Sequence, residues 1–235
     1  MIALPDVTLF VIHGGPAVSL FQYALERTLE RIQPAALLIF TSEPEAWSPN
    51  LGGEIIRIPR CYSAKQAMQI FWYRVPLYVK TSHMMHVEWD GWVLDETAWS
   101  ADFLNYDYIG APWPWHRDDY KVGNGLGLRS QALMSFLSNH KSEYPLPQYE
   151  DHTLCREYRP RLEKEGFLWP SVETATRFSW ERGERPQHGT FMFHGAFNFP
   201  HVLNKEEFDR VKGLADAYVL THPSWVEMRH TGVVA

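Results

Sequence analysis

Val7-Thr8-Leu9-Phe10-Val11-Ile12-His13-Gly14-Gly15-Pro16 begins the segment whose pattern decides the fold. Six successive β-branched, aliphatic or aromatic residues ahead of a Gly-Gly-Pro turn read as a strand buried on both faces. From about Val18 to Ile32 the apolar positions Leu20, Ala24, Leu25, Leu29 and Ile32 recur on one helical face. Ala35-Ala36-Leu37-Leu38-Ile39-Phe40 is a second apolar run, stopped by Thr41-Ser42-Glu43-Pro44. Strand, helix and strand in that order predict a right-handed β-α-β unit and a parallel sheet. The Gly14-Gly15 turn lacks G-x-G-x-x-G spacing and the chain has no G-x-x-x-x-G-K-[ST], so neither the dinucleotide fingerprint nor the P-loop is present. Both glycines read as turn residues.

Glu54-Ile55-Ile56-Arg57-Ile58 predicts a third, shorter strand, and Ala64 to Lys80 a helix interrupted near Pro76. Met84-Met85-His86-Val87-Glu88-Trp89-Asp90-Gly91-Trp92-Val93-Leu94 then reads as a buried strand broken by two acids. Strand alternation puts Glu88 and Asp90 on one face, near the carboxyl end of a fourth strand, where open α/β sheets place ligands. An ionised carboxylate there costs several kcal/mol unless a cation or hydrogen bonds compensate. Mn²⁺ or Mg²⁺ suits such oxygen ligands; a solvated turn acid, or an ion pair with a nearby Arg, is the competing account.

Composition narrows the function classes. With 235 residues and 45% hydrophobic content the chain supports one substantial core. The net charge of -6, without an acidic or basic block, argues against a nucleic-acid partner. Cys61 and Cys155 are too few for a disulfide framework or a cysteine-rich zinc site. The start lacks a basic n-region with a long apolar run, and no stretch reaches the roughly 18 apolar residues of a membrane span. A soluble cytoplasmic protein is the expectation. Ten Trp, eleven Tyr and thirteen Phe serve mainly as core filling.

Three later motifs carry chemistry. Val122-Gly123-Asn124-Gly125-Leu126-Gly127-Leu128-Arg129-Ser130 has glycines at alternate positions, which lets backbone approach a ligand; a glycine-rich bend in a sheet is the competing account. Ser130 is the expected cap of a helix reaching Asn139. Glu150-Asp151 stands ahead of a predicted helix, where the dipole favours acids. His194 lies inside the aromatic segment His188 to Asn198, a setting that by itself suits a core histidine.

In this order the motifs resemble a family of small bacterial proteins of the GT-A glycosyltransferase type, long known as a domain of unknown function. The resemblance rests on Tyr62-Ser63, EWDGWVL over 88–94, AW then FLNYDYIGAPWP across 98–114, VGNGLGLRS over 122–130, YED over 149–151 and FHGAFN over 193–198, and covers about residues 60 to 200. It implies an α/β fold, a single GT-A-like domain over 1–235 with a mostly parallel central sheet flanked by helices. Residues 1–83 would form the nucleotide-binding half and 84–200 the half for metal, donor sugar and acceptor, with 201–235 a C-terminal tail.

The implied activity is metal-dependent transfer of a sugar from a nucleotide-diphosphate donor to a glycan or other hydroxyl acceptor. Glu88-Trp89-Asp90 occupies the place of the D-x-D motif, so the resemblance assigns Asp90, Glu88 and His194 to Mn²⁺ or Mg²⁺. It assigns Asp151 as the base of an inverting displacement with Glu150 beside it, the two roles being exchangeable, and Trp89, Asn124, Gly125 and Arg129 to the donor. Two other classes stay open: a non-catalytic sugar- or nucleotide-binding module of the same fold, and a metal-dependent phosphate-ester hydrolase using Asp90 with His83 and His86.

Overall fold

The computed structural model describes residues 1–146, 149–186 and 189–230, without the side chains of Asn124 and His230. The chain opens with β1 (Ile2–His13), α1 (Val18–Leu29), β2 (Ile32–Thr41) and β3 (Glu54–Arg57), then α2 (Ala64–Tyr73) and α3 (Val75–Tyr78). The predicted helix over 64–80 is thus two helices, because Pro76 cannot donate into a continuing ladder. Next come β4 (His83–His86), β5 (Tyr108–Pro112), β6 (Val122–Ser130) and α4 (Gln131–Asn139), whose cap is Ser130 as expected: its Oγ accepts from the Leu133 N–H at 3.0 Å.

A six-stranded sheet runs in the order β3-β2-β1-β4-β6-β5. The first four strands are mutually parallel, and β6 is antiparallel to both β4 and β5. This is the α/β architecture with a mostly parallel sheet that the opening segment predicts. Period-two alternation explains the core on each side. Val7, Leu9 and Val11 of β1 belong to one apolar cluster with Leu37 and Ile39. Phe10 and Ile12 belong to the other with Leu38 and Phe40.

The second half is mainly helical. It contains α5 (Glu150–His152) leading into a π-helical stretch Thr153–Tyr158, then α6 (Arg159–Leu162) and α7 (Val172–Phe178). Two short parallel strands, β7 (Ser179–Trp180) and β8 (Met192–Phe193), precede α8 (Phe199–Val202), α9 (Lys205–Leu214), α10 (Ala217–Thr221) and α11 (Pro223–His230).

Two expectations are corrected. The strand over 84–94 ends at His86; Val87 still donates to the Phe10 carbonyl at 3.0 Å, after which Glu88 to Gly91 form a turn. An apolar run reads alike as strand or packed turn, and here Trp89, Trp92 and Val93 bury themselves in the β1-side cluster rather than in a ladder. Within 201–230 of the expected tail, α9 to α11 insert Val211, Val219, Trp225 and Met228 into that cluster. Among the described residues, no helix is long and apolar enough to cross a membrane.

Candidate functional site

The parallel strands β1 and β4 end on the same edge of the sheet, and their continuations, His13 to Pro16 and Glu88 to Asp90, border a cavity of about 700 Å³. Cys61 to Ala64 close one side at the start of α2, and Tyr218, His222, Ser224 and Glu227 of the C-terminal helices close another. Two hydrogen bonds hold that last wall down. The Ala17 N–H donates to Asp216 Oδ2 at 2.8 Å, and the Ala196 N–H donates to Ser224 Oγ at 2.6 Å.

The turn following β4 presents both predicted acids to this cavity, through a different geometry from the strand face expected. Gly91 N–H lies 3.4 Å from the Glu88 carbonyl, and the chain then pairs with β8, Phe193 N–H donating to the Trp92 carbonyl at 3.2 Å. That pairing carries the turn to His194. Its Nε2 lies 3.3 Å from Glu88 Oε2 and 3.2 Å from Asp90 Oδ1. Glu88, Asp90 and His194 each offer a ligand atom, and the three atoms lie within 4.8 Å of one another.

Electrostatics at the cluster are strongly perturbed. Burial works against a charged His194, but the Asp90 and Glu181 carboxylates outweigh it and raise its pKa well above the ordinary value. Burial would push Glu88 up, yet hydrogen bonding to His194 and the charge of that ring bring it down to about 2. Burial takes His86 down to about 4, so that ring is neutral where it stacks on Phe10 at 4.7 Å. Asp90 is 2% exposed, and its Oδ1, like His194 Nδ1, has no well-formed hydrogen bond among the described residues. Buried polar atoms normally have partners, so this oxygen-rich set with an imidazole fits a divalent cation.

The other predicted residues fall in different places. Trp89 lines the cavity, its indole edge-on to His222 at 5.2 Å. Arg129 and Glu150 are turned to each other instead of to a ligand. Nε and Nη2 of Arg129 donate to the two carboxylate oxygens at 2.7 and 2.8 Å, Nη1 donates to the Gly127 carbonyl and Nη2 also to Tyr108. The guanidinium is 1% exposed and Glu150 7%, and neither lines the cavity, which argues against the roles read from the sequence, a donor contact for Arg129 and an interchangeable base for Glu150.

Asp151 does not line the cavity. Burial, joined by the charges of Glu150 and Glu181, raises its carboxyl to about 6. The alternating glycines belong to β6, not to a ligand loop. A Cβ on Gly123 would collide with Cys155, on Gly125 it would stand 2.5 Å from Glu181 Oε2, and on Gly127 2.6 Å from the Ile109 carbonyl. The space they leave is filled by protein. Asn124 has its backbone in β6, and its side chain lies outside the described residues. His83, invoked for hydrolysis, is occupied by Ser82 Oγ at 3.0 Å and the Tyr106 carbonyl at 3.2 Å.

Among the cavity residues that residue-by-residue reading missed are His13, Glu181, Tyr218 and His222. Glu181 had a visible signal, since it ends the buried run Phe178-Ser179-Trp180 just as the acid pair interrupts the run before it. His13 likewise ends β1, with Nδ1 3.0 Å from Thr41 Oγ1 and a buried Nε2 that has no well-formed hydrogen bond among the described residues.

Residues 54–191, more than half of the 235, match the model of a family described as a protein of unknown function, DUF5672. The chain belongs to the DUF5672 family. This DUF5672 chain resembles several solved structures. A glycosyltransferase involved in the glycosylation of the major capsid of PBCV-1 has a TM-score of 0.51 at 11% identity, covering 89% of this chain and 98% of that one. The glycosyltransferase GlyE of Streptococcus pneumoniae TIGR4 has a TM-score of 0.47 at 12% identity, covering 98% of this chain and 64% of GlyE. An active-site mutant of LgtC has a TM-score of 0.46 at 8% identity, covering 94% of this chain and 99% of LgtC. The first likeness shows a glycosyltransferase-like fold and no more. No curated protein matches the sequence.

Proposed function

We propose that this chain is a metal-dependent glycosyltransferase that moves a sugar from a nucleotide-diphosphate donor to a hydroxyl acceptor. One observation carries the reading: Glu88, Asp90 and His194 converge within 4.8 Å inside the cavity at the carboxyl edge of a glycosyltransferase-like sheet. The cavity's charge supports it further. Its lining carries four acids, Glu88, Asp90, Glu181 and Glu227, while Arg182 is the one Arg or Lys among the described lining residues and is ion-paired with Glu227. Such a cavity repels a diphosphate unless a cation intervenes.

Glu88, Asp90 and His194 would hold Mn²⁺ or Mg²⁺, which when bound neutralises the charge developing on the departing diphosphate. The amino end of α2, with Ser63 as its cap, lines the same space, and its helix dipole favours phosphate oxygens there. His13 to Pro16 and Cys61 to Ser63 are the proposed border of the nucleoside. Asp151, with its carboxyl raised to about 6, is the proposed base: it is ionised at neutral pH yet basic enough to take the acceptor proton as the hydroxyl attacks in an inverting displacement.

A second reading, a binding module that retains the fold without turnover, is favoured by one observation: Asp151 lies outside the cavity lining. A panel of nucleotide sugars with Mn²⁺ separates the two. Thermal midpoint and donor cleavage are followed for wild type, Asp90→Ala and Asp151→Ala. The transferase reading expects metal-dependent stabilisation by one donor, a gain of RT ln(1 + [L]/Kd), and at least about 100-fold loss of turnover in each variant. Full turnover in both variants would refute it; donor binding without any cleavage or transfer would establish the module.

A further inference from the structure

The buried acid Glu181 is unused by the mechanism above. It follows β7 as His194 follows β8, and the register Trp180 to Phe193 in this parallel pair sets the two residues side by side. His194 N–H donates to the Trp180 carbonyl at 3.0 Å. The Asn198 amide donates to the backbone carbonyls of both Glu181 and His194, at 2.7 and 2.8 Å, so one side chain locks the two segments together. Glu181 is 7% exposed, and its Oε2 lies 3.4 Å from His194 Nδ1.

We propose that Glu181 is a positioning residue for His194: its carboxylate faces Nδ1 and, when a cation is bound, holds the proton on that nitrogen, leaving Nε2 free to join Glu88 and Asp90 as a ligand. The inference rests on the metal reading of that trio and deepens it. An imidazole has one N–H when neutral, and only the nitrogen without it can bind a cation. The Nδ1 neighbour therefore selects the tautomer, and outer groups of this kind set both the orientation and the basicity of a metal-binding histidine. Neither Glu181 Oε2 nor His194 Nδ1 has a well-formed hydrogen bond among the described residues, and the 3.4 Å ion-pair contact brings the two together.

β6 is shaped around the pair. Gly125 has φ of +64°, and a Cβ there would stand 2.5 Å from Glu181 Oε2 and 2.7 Å from His194 Nδ1. The missing side chain leaves the carboxylate and the ring in contact, which gives this glycine a reason independent of any ligand.

The test is Mn²⁺ binding to the full chain by calorimetry at fixed pH, with the ¹⁵N imidazole spectrum recorded in diamagnetic Mg²⁺. Wild type is expected to bind and to show His194 as the Nδ1–H tautomer. Glu181→Ala is expected to bind Mn²⁺ about 10- to 100-fold more weakly and to show mixed tautomers. Glu181→Gln keeps an acceptor oxygen and is expected to retain the tautomer and lose less than ten-fold; it carries the test if the alanine variant fails to fold. Equal affinity and an unchanged tautomer in Glu181→Ala would overturn the positioning role while leaving the metal site standing. A wild type that takes up no Mn²⁺ would overturn the metal reading itself.

Discussion

Replacing Glu150 by Gln removes the counter-charge of the most deeply buried cation in the described structure. Arg129 is 1% exposed and sits between the rings of Phe71 and Tyr108, 4.9 and 4.7 Å from their centroids. Two charge-assisted bonds at 2.7 and 2.8 Å tie it to Glu150. Bonds of this type contribute about 1.5–3 kcal/mol each. Stripping one partner from a buried pair costs about 3–5 kcal/mol, because the remaining charge cannot regain its water. Set against a total stability of about 5–15 kcal/mol, that is a large fraction. At an m-value of about 2 kcal/mol/M the urea midpoint should fall by about 2 M. The double variant Arg129→Met/Glu150→Leu should recover most of the loss, since an apolar pair of similar volume avoids the desolvation cost, and the double-mutant cycle should show strong coupling. Salt at about 0.5 M should leave the cost unchanged, the pair being shielded from solvent. A loss below about 1 kcal/mol, or one that salt erases, would mean a solvated surface-type pair, and Arg129 would then be available to an anionic ligand after all.

Other expectations concern the site and its wall. If Asp151 is the base, turnover should rise with pH through about 6 and then level off, because the carboxyl raised to that value accepts a proton only when ionised; a pH–rate profile flat from 5 to 8 would contradict the role. Gly125→Ala should lower stability by about 1–2 kcal/mol from its left-handed backbone alone, and should weaken Mn²⁺ binding as well by parting Glu181 from His194. Calorimetry and urea melts on one preparation read both. Trp225→Ala should cost about 3–5 kcal/mol, since this residue is 2% exposed and packs against Phe199 and Phe208. A cost near zero would return α9 to α11 to the status of a dispensable tail.

By itself the sequence determined the parallel part of the sheet, while the antiparallel β5 and β6 were not legible in it. Apolar runs of six residues separated by a helix with one apolar face can bury themselves only as parallel strands joined by a crossover, and β1, α1 and β2 form close to where periodicity puts them. Asp90 was legible for the same reason: a carboxylate inside an apolar run requires a partner. What the partner would be depended on pairings distant in sequence. The register of β7 with β8 brings Glu181 to His194, and the pairing of Trp92 with Phe193 brings both to Asp90. The glycines at 123, 125 and 127 could not be read locally, because what fills the space beside each is a side chain or carbonyl from another segment. Likewise Arg129 and Glu150 each looked fit for a ligand until burial joined them. Local pattern decides which residues are apolar and which elements they form; only the assembled chain decides which polar groups meet with no water between them, and the chemistry of the cavity depends on those meetings.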